Sequence, residues 1–306
     1  MKGLSICVMI KQIYQKFLGR HKQEVETSLI DAFQYPKYGC GQLWEHVGQQ
    51  FIKLGGQIKY GCMVCGLYDR NGEITQVEYM KNGIKYCENA DIVISSMPLR
   101  NLVVSLNNVP KKIMKIASGL QYRDFVIVGV LLDKKEFNQQ GGTKDCWIYV
   151  QDSSASVGRI QIFNNWSPYM VENPKDTIWL GLEYFCSEGE AIWNRTKKEW
   201  KEVVKAELQK IGLLSKKAHI LDCHYEKVKK AYPSYVGTYH QLKILKEYLN
   251  HFDNLYCIGR NGQHRYNNMD HSMLTAFEAA DDIILHKKEK DNIWNINTEK
   301  EYHEKK

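Results

Sequence analysis

The order of strands and helices along the chain is the strongest constraint on its fold. Residues 125–235 read as one strand after another: "FVIVGVLLD", "DCWIYVQD", "GRIQIFNNW", "TIWLGLEYFC" and "HILDCHYEKVKKAYPSY". A single amphipathic helix interrupts them, "TKKEWKEVVKAELQKIGLL", with Trp200, Val204, Leu208 and Ile211 on one face. A doubly wound parallel sheet would need strands and helices to alternate. The pattern predicts a central, mainly antiparallel sheet, flanked by pieces of another layer at 35–105 and 250–286. The fold class expected is α/β (α+β).

The first flank opens with a turn-rich "YPKYGCGQ". A helix follows, "LWEHVGQQFIKLG", with Leu43, Val47, Phe51 and Leu54 at helical spacing, and Gly55-Gly56 ends it. Strand-like runs come next, "QIKYGCMVCGLY" and "EITQVEYM", with the hairpin turn "RNGE" between them. "ADIVISSMP" reads as a buried strand closed by Pro98, and a short helix is expected near 110–118. Residues 1–33 read as helical, and the charged end after Lys287 as a frayed tail.

Composition narrows the function classes. The net charge of +7 over 306 residues comes from dispersed lysines, which argues against a nucleic-acid partner. No apolar run is long enough for a transmembrane segment. The start "MKGLSICVMIKQ" is a poor signal peptide, and the 9 cysteines are odd in number and scattered. A cytoplasmic protein is expected. Cys62 and Cys65 form a CxxC with no second pair, and no metal site is expected. Oligomeric state is not readable from the sequence.

The second flank carries the chemistry. An apolar run, Leu255–Ile258, ends at Gly259-Arg260; a polar loop follows, and then a helical stretch. Met273, Phe277, Ala280 and Ile284 recur at helical spacing and are expected to be core. Asn267, Asn268 and Asp270 suit the start of that helix, with Asp270 as a cap. Each residue alone is explained by a capped helix after a turn. Together they place free N–H groups and a positive helix end beside a glycine where a ligand could approach bare backbone. Arg260 could meet a phosphate or fix the loop.

"KKAYPSYVGTY" followed by "NLYCIGRNGQHRYNNMDHSMLTAFEAADDII" resembles the C-terminal flavin motif of the FAD-dependent amine oxidase and protoporphyrinogen oxidase-like superfamily. "YPKYGCGQLWEHVGQQFIKLGGQIKYGCMVCGLY" and "ADIVISSMP" resemble two further segments, in family order. The likeness extends to a bacterial branch of amine-oxidase-like FAD/NAD(P)-binding oxidoreductases and to UDP-galactopyranose mutase. It implies FAD as cofactor and hydride transfer from a small-molecule substrate to the flavin. The alternatives are rearrangement of a nucleotide sugar, and a non-catalytic fragment without flavin.

By resemblance, Val64 lies beside the adenine, and Ser96, Met97 and Pro98 line the dinucleotide cleft. Gly259 and Arg260 approach the pyrophosphate and ribityl chain. Asp270, His271, Ser272 and Met273 set the helix start against the flavin ring. Tyr232, Tyr235, His264 and Tyr266 are the substrate-side candidates, and no catalytic residue is assigned. The family's opening strand–GxGxxG–helix unit has no counterpart here, so a truncated N-terminus and weak or absent FAD are expected. The implied organisation is a helical piece of the substrate domain (1–38), FAD-domain portions (39–105 and 249–287), a substrate domain (106–248) and a charged tail (288–306).

Overall fold

The computed structural model describes residues 34–137, 143–152 and 155–297. The helix expected over 1–33, and the last nine residues of the tail, lie outside them. Among the described residues ten strands make three sheets. A three-stranded antiparallel sheet joins β1 (Cys62–Arg70), β2 (Glu73–Lys81) and β3 (Ile84–Asn89). Its first turn has Asn71 and Gly72 both at positive φ (54° and 84°), as the turn-forming "NG" pair dictates. Cys62 and Cys65 of the CxxC both lie in β1. Among the described residues no cluster of ligating side chains could hold a metal, and no helix is long and apolar enough to cross a membrane.

The second sheet is a parallel pair of β4 (Val93–Ser95) and β10 (Leu255–Cys257), with Val93, Ile94 and Ser95 opposite Leu255, Tyr256 and Cys257. It unites the two flanks of the sequence. The third sheet has five antiparallel strands in the order β6-β7-β8-β5-β9. They are β5 (Gln121–Asp133), β6 (Trp147–Tyr149), β7 (Arg159–Ile162), β8 (Thr177–Cys186) and β9 (Ile220–Ser234).

Alternation gives this large sheet two unlike faces. Val126, Val128, Val130 and Leu132 of β5, with Ile178, Leu180, Leu182 and Tyr184 of β8, point into one core. The long amphipathic helix (Lys197–Lys210) closes that core with Trp200, Val204 and Leu208. Its start is fixed by a reciprocal capping box between Thr196 and Glu199. The opposite face carries Phe125, Arg159, Gln161, Trp179, Glu183 and Phe185, all but Glu183 only partly buried.

In chain order, and apart from a single helical turn at Phe163–Trp166, the helices among the described residues are α1 (Cys40–Lys53), α2 (Leu99–Ser105), α3 (Lys111–Ser118), α4 (Lys197–Lys210), α5 (Leu242–Asn250), α6 (Gly259–Gly262), α7 (Met269–Ile284) and α8 (Asp291–Trp294). Helices α2, α3 and α5 pack one side of the β4–β10 pair with Leu67, Leu99, Leu102, Ile116, Leu245 and Leu255. The α7 helix crosses the other side, where Tyr256, Ala279 and Ile293 form a smaller core.

Two expectations need correction. The Met273–Phe277–Ala280–Ile284 stripe of α7 is not core. Thr275, Ala279 and Asp282 are its buried residues, while Phe277 and Ile284 are 59% and 71% exposed. The helical spacing was real, but nothing among the described residues lies over that face. The beginning of the charged tail is also not frayed. Lys290 is buried because its ammonium donates to the carbonyls of Phe252 (2.6 Å) and Leu255 (2.9 Å). Ile293 and Trp294 then bury as well, with Trp294 Nε1 on Asn250 Oδ1 at 3.1 Å.

Candidate functional site

Parallel strands end their run at one place, and in open α/β sheets that carboxyl end is where ligands bind. Here β4 runs out into Ser96, Met97 and Pro98, and β10 into Ile258, Gly259 and α6. The two ends are stitched by Ile258 N–H donating to Ser95 O at 3.0 Å. A Cβ on Gly262 would sit 2.6 Å from the Ser95 carbonyl oxygen, so only glycine lets α6 lie this close to β4. Gly259 has φ +72°, and a Cβ there would meet nothing nearer than Ser272 Cβ at 3.9 Å. Gly259 is itself buried, and a Cβ there would make an ordinary van der Waals contact with Ser272.

The α7 helix is moored to this point. Gly259 N–H donates to Thr275 Oγ1 at 2.8 Å, and Thr275 Oγ1 donates to Ser272 O at 2.7 Å. Asn268, not Asp270, is the cap: it joins His271 in a reciprocal capping pair, with its own N–H on His271 Nδ1 at 3.3 Å. Asp270 is the second helical residue, its side chain largely exposed and 3.6 Å from His271 Nδ1. Two asparagines precede the helix, and the geometry selects the second. Asn267 is buried, with its side chain turned to Gln263.

Arg260 resolves in favour of fixing the loop. Its Nε donates to Asn267 O (2.8 Å) and its Nη1 to Ala231 O (3.2 Å). The guanidinium sits over Tyr266 at 4.7 Å and Tyr232 at 5.2 Å, and these two rings stack on each other at 5.8 Å. Tyr232 also meets Phe125 and Phe185 on the open face of the large sheet. Burial pushes its phenol up to about 12, so it stays a neutral group. Nearby, Arg159 forks onto buried Glu183 (3.0 and 2.6 Å), and Gln161 Nε2 takes the other carboxylate oxygen at 2.6 Å. Arg159 reaches Trp147 and Tyr149, each 5.9 Å away. The result is a continuous aromatic and cationic face from the strand edge to the α6 turn.

Among the substrate-side candidates, Tyr232 and Tyr266 meet directly. Tyr235 stands behind them, stacked on Tyr239 at 4.3 Å, with its hydroxyl accepting the Tyr266 N–H at 2.8 Å. His264, expected on the substrate side, is fully buried instead. Its Nε2 pairs with Ser234 O at 3.1 Å, and its ring meets Tyr122 edge-on at 4.7 Å. Desolvation pulls its pKa down to about 4. Val64 and Ser96 are exposed, while Met97 and Pro98 are half-buried at the end of β4.

Sequence reasoning missed the brace behind the site. Lys230 sits in the left-handed region (φ 53°) at a bulge of β9. Its N–H goes to Asp124 Oδ1 (2.6 Å), its carbonyl to Asn261 Nδ2 (3.0 Å) and its ammonium to Asn101 Oδ1 (2.6 Å). One residue thus ties the large sheet to both α2 and α6. The "EKVKKAYPS" run gives no sign of the bulge, because only the partner strand's Asp124 calls for it.

No protein-family model matches this sequence, and no curated protein matches it. Solved structures do. Reduced UDP-galactopyranose mutase superposes with a TM-score of 0.70 at 19% identity, over 85% of this chain and 55% of that one. The chain has the amine-oxidase-like fold. A putrescine oxidase variant from a redesign of cofactor binding matches with a TM-score of 0.59 at 16% identity, over 82% and 53%. A CLA-producing fatty acid isomerase from P. acnes gives 0.51 at 14%, over 81% and 52%. This chain therefore spans about half the length of the structures it matches.

The amine-oxidase-like fold raises the question of how a flavin dinucleotide would fit. Gly259 and the start of α7, at the carboxyl end of the β4–β10 pair, are the groups that would border the edge of a planar ring. The pyrophosphate is not accommodated. Phosphate binding needs several N–H groups aimed at one point, whereas here the Gly259 N–H goes to Thr275 and two of the five Arg260 donors go to carbonyls. Around this turn the buried atoms without a partner among the described residues are Ser95 Oγ, Asn261 Oδ1 and His264 Nδ1. Of these the Ser95 hydroxyl can donate to a phosphate, and the Asn261 oxygen is an acceptor of the wrong polarity.

Proposed function

We propose that this chain supplies the substrate-facing sheet and the ring-side wall of a flavin-dependent enzyme that acts on a small molecule. The observation that carries this reading is the meeting of two surfaces at Arg260. On one side lies the carboxyl end of the β4–β10 pair with its bare Gly259. On the other lies the Tyr232–Tyr266 stack of the large sheet, 5.2 and 4.7 Å from the guanidinium. A substrate on the aromatic face would then border whatever lies over Gly259. The fold shared with an oxidase and a mutase supports flavin chemistry of either kind, oxidation of a substrate or its rearrangement.

A second, finer reading is a nucleotide sugar as substrate. It is favoured by the exposed rings of Trp147 and Tyr149, which suit a planar base. The mutase match points the same way. Saturation-transfer NMR with UDP-galactose and with putrescine, on the chain and on Tyr232→Ala, tests both. Contact with UDP-galactose that Tyr232→Ala removes supports the nucleotide sugar. Contact with putrescine alone selects amine oxidation. Contact with neither, or contact indifferent to Tyr232, rejects this face as a substrate site.

A further inference from the structure

Tyr266 carries one wall of the aromatic face, yet no helix or strand holds it. It lies in the irregular turn between α6 and α7. A ring on such a turn keeps its place only if the backbone beneath it is pinned, and both polar groups of Tyr266 are. Its N–H donates to Tyr235 Oη at 2.8 Å, and its carbonyl accepts from Asn297 Nδ2 at 2.8 Å. These partners lie 31 residues before it and 31 residues after it. The same Asn297 nitrogen also donates to Asn267 Oδ1 at 3.1 Å. Arg260 is held between these two residues, over the Tyr266 ring and on the Asn267 carbonyl. Asn297 thus ties down both of them.

Asn297 is fixed in return. A four-residue helix such as α8 leaves its carbonyls without intrahelical partners, and Arg265 supplies the donor. Its Nη1 faces the carbonyls of Trp294 (2.6 Å), Ile296 (3.0 Å) and Asn297 (3.0 Å). These are charge-assisted bonds and among the stronger kind. Gln263, fully buried, adds its Nε2 to Ile293 O at 2.9 Å. Asn297 sits at φ 55°, in the left-handed region that asparagine tolerates better than most side chains. The bonds therefore run both ways: Gln263 and Arg265 hold the segment, and the segment holds Tyr266 and Asn267.

The segment has other anchors on its core side. Lys290 donates to Phe252 and Leu255, Ile293 and Trp294 are buried, and Trp294 is tied to Asn250. The Asn297 amide adds nothing to those; its bonds go to the site loop. We propose that Arg265 and Asn297 are positioning residues, and that residues 291–297 form a clamp setting the Tyr266 ring against Tyr232 and Arg260. Both act through Tyr266. That the ring so placed meets a substrate rests on the function proposed above; its placement rests on the hydrogen bonds alone.

The test follows the Arg260 Nε–H resonance in NMR spectra of the full chain labelled with 15N-arginine, assigned by its absence in Arg260→Lys. This proton reports both the bond to Asn267 and the ring current of Tyr266. Asn297→Gly keeps the left-handed backbone and deletes the amide. It should move the resonance and speed its exchange with water while the thermal midpoint stays close to wild type. Arg265→Met should move it as well. Trp294→Phe, which loses the Asn250 bond, should lower the midpoint and leave the resonance in place. Binding of UDP-galactose, read by saturation transfer, should weaken roughly two- to tenfold in Asn297→Gly. An unmoved resonance in Asn297→Gly overturns the proposal. Equal movement in Trp294→Phe overturns it too, since the segment would then be a general stabiliser. So does UDP-galactose binding of equal strength in wild type and Asn297→Gly. If neither UDP-galactose nor putrescine touches the wild type, a moved resonance supports the clamp and rejects the substrate reading.

Discussion

At the residue scale, burial decides what a side chain can do. His264 shows this best. Its neighbours in sequence, Gln263 to Asn268, are those of a binding loop, and a loop histidine reads as available. Its neighbours in space, Tyr122 and Tyr239, come from distant segments and seal it. Held at φ 48° with Nδ1 lacking a partner, it is neutral and structural. Its folded pKa of about 4 lies below the ordinary 6.5. As pH falls through that window the unfolded state gains a proton that the folded state refuses, and stability drops. The full effect is roughly 3 kcal/mol at about 1.4 kcal/mol per pKa unit. Urea melts of the chain and of His264→Gln at pH 7, 5 and 4 check it: the variant should lose distinctly less between pH 6.5 and 4. Equal losses would mean the histidine titrates normally. Gly259 is different, since its role follows from backbone alone. Gly259→Ala should cost about 1–2 kcal/mol by the left-handed penalty, with no clash added, because a Cβ there has 3.9 Å of room. A urea midpoint unchanged from wild type would contradict the strained geometry.

At the scale of elements, the sequence announced periodicity and left coverage unstated. The stripes of α1 and α7 were both visible as spacings, and both helices form, yet neither stripe is buried. Period is a local property; whether a second layer arrives is not. The α7 start makes a similar point. Asn267, Asn268 and Asp270 are all plausible caps by type, and the choice falls to Asn268 because Asn267 is drawn into the core beside Gln263. Asn268→Ala should therefore destabilise by about 0.5–2 kcal/mol, the usual value of such a cap. Asp270→Ala should cost no more than the exposed dipole interaction of a first-turn acid, about 0.3–1 kcal/mol. Thermal melts of the two variants rank them. Reversal of that order would restore Asp270 as the cap.

At the scale of the whole molecule, the mainly antiparallel sheet was legible from successive alternating apolar runs, while the strand order within it, β6-β7-β8-β5-β9, was not. The contact between the large sheet and the β4–β10 layer was not, since it is made by polar atoms far apart in the chain. Asp124 is central to it, accepting the N–H groups of Glu188 (2.8 Å) and Lys230 (2.6 Å). Asp124→Ala would remove both of these part-buried hydrogen bonds to a charged group, at roughly 1.5–3 kcal/mol each, and should broaden or shift the chemical melt of the entire unit. The same brace fixes Asn261 and so the turn on which any ligand at Gly259 depends. The flavin question is then one of supply. A dinucleotide is held largely through its phosphates, by N–H groups converging on a helix start. The donors nearest the site, the Gly259 N–H and the Arg260 guanidinium, already hold Thr275, Asn267 and Ala231 in place. Releasing these bonds to bind phosphate would loosen the turn that forms the ring-side wall, and only the remaining Arg260 donors could act without that cost. The chain purified by itself and passed through gel filtration in FAD should therefore elute with far less than one flavin per chain by absorbance at 450 nm. Stoichiometric retention would show that donors outside this turn suffice.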